Sequence, residues 1–144
     1  MTEHASDQLV GSRTWTILSE RATAAMERAY APYSKFRVGA ALLGTDGSVS
    51  EGCNVENASY PAGMCAERAA ISAAVARGLR DFVAIAIATE ADVPTPPCGI
   101  CRQVLIEFAP LLAVRSMTRG GATAQWNISE LLPEAFTPTS LGRR

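Results

Sequence analysis

Cys65-Ala66-Glu67 opens one helix-like run of this chain, and Pro97-Cys98-Gly99-Ile100-Cys101 opens another. Thiolates are soft ligands suited to zinc, and Cys98 and Cys101, three apart at a helix start, share a face and can grip one ion. A structural zinc in a small fold closes its tetrahedron with four protein ligands. Three ligands leave a position for water that the metal acidifies. Cys65, Cys98 and Cys101 would supply those three, for one zinc ion per chain. Glu67, two residues beyond the first ligand, can then move that water's protons. The pattern points to metal-assisted hydrolysis.

Both ligand groups fall at helix starts, where free backbone amides and the positive dipole end favour a thiolate. Three thiolates weaken the metal's pull on water, so a nearby cation should offset them. Arg68, directly after Glu67, is the first candidate, since a guanidinium bonded to sulfur drains negative charge from the site. Arg102 is the second. Plainer readings stand beside these. Glu67 alone would be a first-turn acid on the helix dipole, and Arg68 alone a solvated helix residue. Cys53, the remaining cysteine, could close a four-cysteine structural site or pack as a small hydrophobe. The single histidine, His4, lies near the N-terminus, so the metal site must be built from sulfur and carboxylate.

The elements that must hold these residues are legible from periodicity. Thr14–Tyr30 carries a helical apolar stripe, broken by Pro32. Phe36–Leu43 and Val49–Val55, joined by Thr45-Asp46-Gly47-Ser48, read as a β-hairpin. A turn-rich loop, Glu56–Gly63, leads to Cys65 and should line the pocket. Cys65–Arg77 is an alanine-rich helix stopped by Gly78. The continuous apolar run Phe82–Ala88 suits a central strand buried on both faces. Cys98–Phe108 is a third helix, Leu111–Met117 and Ala122–Asn127 a pair of antiparallel strands, and Ser129 the cap of a last short helix. The order implies an α/β fold, a mixed sheet with helices on both faces, and a pocket where two helix starts meet beside the strand ends.

With 144 residues, 48% apolar and 19% charged, the chain suits one domain, residues 1–144, with 1–13 as a flexible tail. No window is apolar enough for a membrane span. The N-terminal stretch lacks the basic-then-apolar order of a secretory signal, which makes the cytoplasm the expected location. A net charge of -1 offers no basic footprint for a nucleic acid polymer.

Five blocks in order resemble the short, zinc-dependent cytidine-deaminase family, in its three-cysteine branch. They are Phe36–Leu42, Gly52–Tyr60, Cys65–Arg68, Pro97–Gln103 and Glu130–Phe136. The resemblance implies a three-layer α/β/α sandwich with a mixed five-stranded sheet, and hydrolytic deamination of cytidine or deoxycytidine in pyrimidine salvage. It implies zinc on Cys65, Cys98 and Cys101, and Glu67 as proton shuttle. Asn54 and Glu56 would bond the ribose hydroxyls, Phe36 would pack near the nucleoside, and the Ala66 backbone would hold the pyrimidine. It further implies a compact homotetramer in which Phe136 and the Ala58–Tyr60 loop reach a neighbouring subunit's site. Pro61-Ala62-Gly63-Met64 departs from the family pattern, and Pro61 has no amide to donate to the sugar pocket.

Without that resemblance, Asn54 and Glu56 could form an exposed polar face, Phe36 could be core, and Phe136 core or interface. Two rival functions stand beside the family's. One is a related deaminase of another cytosine compound, such as a blasticidin-type antibiotic, which Phe36 and the Asn54 and Glu56 ribose pair that the resemblance implies oppose. The other is a non-catalytic four-cysteine zinc module, which requires Cys53 as a ligand.

Overall fold

The apolar run after Asp81 forms the middle of the sheet, as its composition requires. In the computed structural model, which describes residues 10–142, the elements are α1 (Ser12–Met26), β1 (Val38–Gly44), β2 (Val49–Cys53), α2 (Ala66–Ala76), β3 (Phe82–Thr89), α3 (Gly99–Phe108), β4 (Ala113–Thr118), β5 (Thr123–Asn127) and α4 (Ile128–Leu131). The strands form one five-stranded sheet in the order β2-β1-β3-β4-β5. Only the β3–β4 pair, whose connection carries α3, is parallel. The others are antiparallel. The mixed sheet expected from the strand and helix order is therefore present.

Side-chain parity along the strands divides the core into two halves. Ala41, Ala84, Ala86 and Ala88 pack with Trp15, Leu18, Ala22 and Met26 of α1. Ala40, Leu42, Ile85 and Ile87 pack on the opposite side with Ala66, Ala70 and Ile71 of α2 and Leu105 of α3. The small residues on the first face let a long helix lie close. Gly39 is the extreme case, since a Cβ there would stand 1.9 Å from the Ala22 carbonyl oxygen.

Local differences from the expected elements have physical causes. The first helix ends at Met26, four residues early, because Ala29 and Arg28 already bond carbonyls three residues back and Tyr30 leaves to bridge Val55. Val10 is buried beside Trp15 and α1 starts at Ser12, so residues 10–13 belong to the folded part; the rest of the expected tail, with His4, lies outside the described residues. The last short helix is capped by Asn127, not Ser129. The Asn127 side chain bonds the Glu130 amide, and the Glu130 carboxylate accepts from the Asn127 amide at 3.1 Å, a reciprocal pair that a cap at Ser129 could not form.

Candidate metal centre and substrate cavity

Helices α2 and α3 begin side by side on one face of the sheet. Cys65 is the residue before the first turn of α2, and Cys98 holds the same position in α3. Cys101 lies one turn into α3 and is fully buried. The sulfur atoms stand 3.8 Å apart for Cys65–Cys98 and 3.5 Å for Cys98–Cys101, with all three within 4.8 Å of one another. Tetrahedral zinc with bonds of about 2.3 Å to sulfur has sulfur–sulfur edges of about 3.8 Å. The three thiols fit such an ion, and no other His, Cys, Asp or Glu among the described residues joins the set.

Cys53 is excluded by sheet geometry. It pairs directly across from Gly39, whose missing side chain faces α1, so Cys53 projects to the α1 side of the sheet. The cluster lies on the α2 and α3 side. A closed four-cysteine site is therefore contradicted, and with it the non-catalytic module that needed one.

The cluster's electrostatics favour an anion at Cys65. The Cys101 thiol bonds the Cys65 sulfur, and Arg68 and Cys98 add to this, holding Cys65 at about 5 against the opposing effect of burial. Cys101 is pushed up, first by that same bond to Cys65 and then by burial. One Arg68 nitrogen donates to the Cys65 sulfur at 3.6 Å and to the Gly63 carbonyl at 3.4 Å. Its Nε is buried without a partner among the described residues. Arg102 behaves differently. It donates to the carbonyls of Pro97 at 2.7 Å and Leu131 at 2.8 Å, tying the α3 entry loop to α4. Its bonds are to carbonyl oxygen, not sulfur, so of the two arginines it is Arg68 that touches the cluster.

Glu67 is 5% exposed. Burial is the main cause that raises its pKa, with the Cys101 thiol opposing and the Cys65 charge adding. A carboxylate so placed holds a proton more readily than an exposed one, as a group that must both accept and release protons requires. It lines a cavity of about 250 Å³ together with Phe36, Asn54, Glu56, Cys65, Ala66 and Cys98.

The wall opposite α2 is held by polar bonds. Asn54 donates from Nδ2 to the Phe36 carbonyl and accepts the Val38 amide at Oδ1, both at 2.8 Å. Segment 54–56 is fixed from either side: Tyr30 bonds the Asn54 carbonyl and the Glu56 amide, and Met64 exchanges two bonds with Val55. Asn54 and Glu56 are half-buried with the exposed Val55 between them, so they do not form the free polar face that was the plainer reading. Tyr60 and Phe136 do not line this cavity. Tyr60 borders a neighbouring hollow of about 330 Å³ that shares Ser34 and Glu56 with the first. Phe136 is exposed, its carbonyl bonded by Gln103 at 2.8 Å. Pro61 sits inside a 3-10 turn, Tyr60–Ala62, where its missing amide costs the turn no bond.

Residues 14–116 match the family model described as the cytidine and deoxycytidylate deaminase zinc-binding region. The chain belongs to this deaminase family. A cytidine deaminase of Halalkalibacterium halodurans is 50% identical over 122 residues, covering 84% of this chain and 92% of its own. One from Mycobacterium tuberculosis is 40% identical over 129 residues, covering 90% and 94% respectively. Among solved structures, cytidine deaminase from Burkholderia pseudomallei aligns with a TM-score of 0.82 at 51% identity, covering 84% of this chain and 98% of that one. Zinc is thus the metal that family membership and the three-sulfur geometry both indicate. The deaminase cavity also contains residues the sequence reading passed over: Ser34, Val38, Ile87, Thr89, Thr95 and Pro96. Thr89 was within reach, because it extends the parity of Ile85 and Ile87 by one step. Ser34 and Thr95 carry only turn signals, which do not show what they face.

Proposed function

We propose that this chain hydrolyses the exocyclic amine of cytidine and deoxycytidine, yielding uridine or deoxyuridine and ammonia. The observation that carries this is the near-complete burial of Glu67 in the wall of the cavity that also holds Cys65 and Cys98. Bound by Cys65, Cys98 and Cys101, zinc would supply an acidified water as nucleophile for carbon 4 of the ring. Glu67 takes one proton from that water, holds it on a carboxylate oxygen and gives it to ring nitrogen 3. It then carries the second proton to the departing amine. One proton of the water thus stays on the product ring, and the other leaves with ammonia.

The remaining cavity residues divide the work of binding. Ala66, at the start of α2, offers backbone groups to the pyrimidine edge. Asn54 and Glu56 receive the sugar hydroxyls, and Phe36 packs against the nucleoside. Arg68 offsets thiolate charge. The exposure of Tyr60 and Phe136, apart from the cavity, supports their contributing to a neighbouring subunit in a homotetramer. A small nucleoside as partner, to the exclusion of nucleic acid polymers, agrees with the net charge of -1. No helix among the described residues is long and apolar enough to cross a membrane, and all four cysteines are free thiols. We assign the reaction to pyrimidine salvage because it converts one free pyrimidine nucleoside into another, and the free thiols support a cytoplasmic location.

Ultraviolet absorbance of cytidine and deoxycytidine with zinc-loaded protein, with ammonia assayed in parallel, tests the proposal. Loss of the cytosine band with one ammonia per base supports it. An unchanged band with zinc in place would oppose it and turn attention to another amine substrate.

A further inference from the structure

The turn that carries Phe36 into the cavity is held in an unfavourable shape. The Lys35 amide bonds the Ala31 carbonyl at 3.1 Å, closing one helical turn. Lys35 then adopts φ 59°, the left-handed region that a residue with a Cβ rarely occupies. Bonds on both sides of Lys35 converge on one pair of side chains. Before it, Glu56 Oε1 accepts the amides of Tyr33 at 3.1 Å and Ser34 at 3.0 Å. Glu56 Oε2 accepts the Ser34 hydroxyl. After it, the Phe36 amide donates to that same hydroxyl oxygen at 3.0 Å.

A carboxylate offers roughly four acceptor positions. The turn occupies three of those on Glu56, which leaves one, on Oε2, for a ligand. These bonds, the Ser34 hydroxyl first among them, also hold the Glu56 carboxyl below its ordinary range. Ser34 borders both hollows, so its hydroxyl stands where the sugar wall and the Phe36 wall meet.

We propose that Ser34 is a positioning residue: by bonding Glu56 and the Phe36 amide together, its hydroxyl holds the left-handed Lys35 turn and so fixes two walls of the substrate cavity at once. The inference rests on the reading of that cavity as a nucleoside site. Ser34 acts on binding: its bonds run to Glu56 and the Phe36 amide, and none runs to Glu67. Truncating its hydroxyl should therefore weaken substrate binding and leave the chemical step intact.

Steady-state kinetics with cytidine on Ser34→Ala, Ser34→Thr and the double variant S34A/K35G tests this, with zinc content and melting temperature measured on each. Ser34→Ala should raise KM about tenfold, the scale of one lost bond to a charged group, with kcat and zinc content close to wild type. Ser34→Thr keeps a hydroxyl and should return KM towards the wild-type value. Adding Lys35→Gly to Ser34→Ala should recover part of the loss, because glycine adopts the left-handed turn without the bonds that enforce it. A KM in Ser34→Ala within about twofold of wild type, below the scale of one lost bond, would overturn the proposal. An equal loss in Ser34→Thr, or a fall in kcat without a rise in KM, would also do so. Wild-type protein that holds zinc and does not turn over cytidine would instead overturn the reading beneath it. Ser34 is exposed, so its truncation leaves the core intact, and a cooperative melt in each variant checks this.

Discussion

Gly52 of β2 lies directly against Ala66 of α2: a Cβ at Gly52 would stand 2.4 Å from the Ala66 carbonyl oxygen and 2.5 Å from the Ala70 amide nitrogen. The start of α2 carries Cys65, Glu67 and Arg68, so the absence of a side chain in a strand sets the height of the reactive helix above the sheet. Backbone cannot yield as a flexible side chain does. Gly52→Ala should lift this end of α2, costing about 1–3 kcal/mol as overpacked cores do. Zinc affinity should fall with it, because Cys65 moves relative to Cys98 and Cys101. Thermal melting and zinc titration of the variant check both effects.

The opposite facing of Cys53 separates it from the other cysteines. Cys53→Ala should retain one zinc per chain, with a stability change of under about 1 kcal/mol for a half-buried thiol. Cys101→Ala should lose the metal, since its sulfur is the buried corner of the cluster. Zinc content after dialysis against a weak chelator distinguishes the two. Metal loss in Cys53→Ala would contradict the three-ligand assignment.

Glu90 sits just beyond the cavity residue Thr89 and accepts the Arg37 amide at 3.1 Å and its guanidinium at 2.6 Å, with Arg119 at 3.0 Å. Arg37 follows Phe36, so this acid tethers the same wall from outside. The Arg37 guanidinium, against some opposing effect of burial, lowers the Glu90 carboxyl from its ordinary 4.5 to about 2. A carboxyl depressed on folding contributes fully above its ordinary value, and the contribution is lost as pH falls from there through the folded value. Glu90→Gln should lower the melting temperature at neutral pH by about 2–5 °C. The gap to wild type should close as pH falls from about 4.5 towards 2, which melting curves across that range would measure.

Most of the fold was legible because strong signals agree with one another. The apolar run of β3, the glycine and aspartate of the β1–β2 turn, and the two cysteine motifs at helix starts each specify local structure by type and spacing. What was not legible depends on through-space pairing. Asn127 and Ser129 are equally good caps on composition, and only the Glu130 carboxylate folding back decides for Asn127. Arg68 and Arg102 each follow a zinc motif, yet one bonds sulfur and the other bonds carbonyls. A lysine gives no hint of a positive φ at position 35, since the bonds that flank that turn join Ser34 to the Phe36 amide and to Glu56, far along the chain.

The account turns on Glu67 as the proton carrier beside a metal held by three cysteines. The most direct test compares ammonia release from cytidine by wild type and Glu67→Gln at equal, measured zinc occupancy. Glutamine keeps the shape and the metal and cannot exchange protons. The predicted result is full zinc content with kcat reduced by about 100-fold or more, the usual scale for a lost general acid–base group. Wild-type turnover by a zinc-replete Glu67→Gln protein would contradict the account.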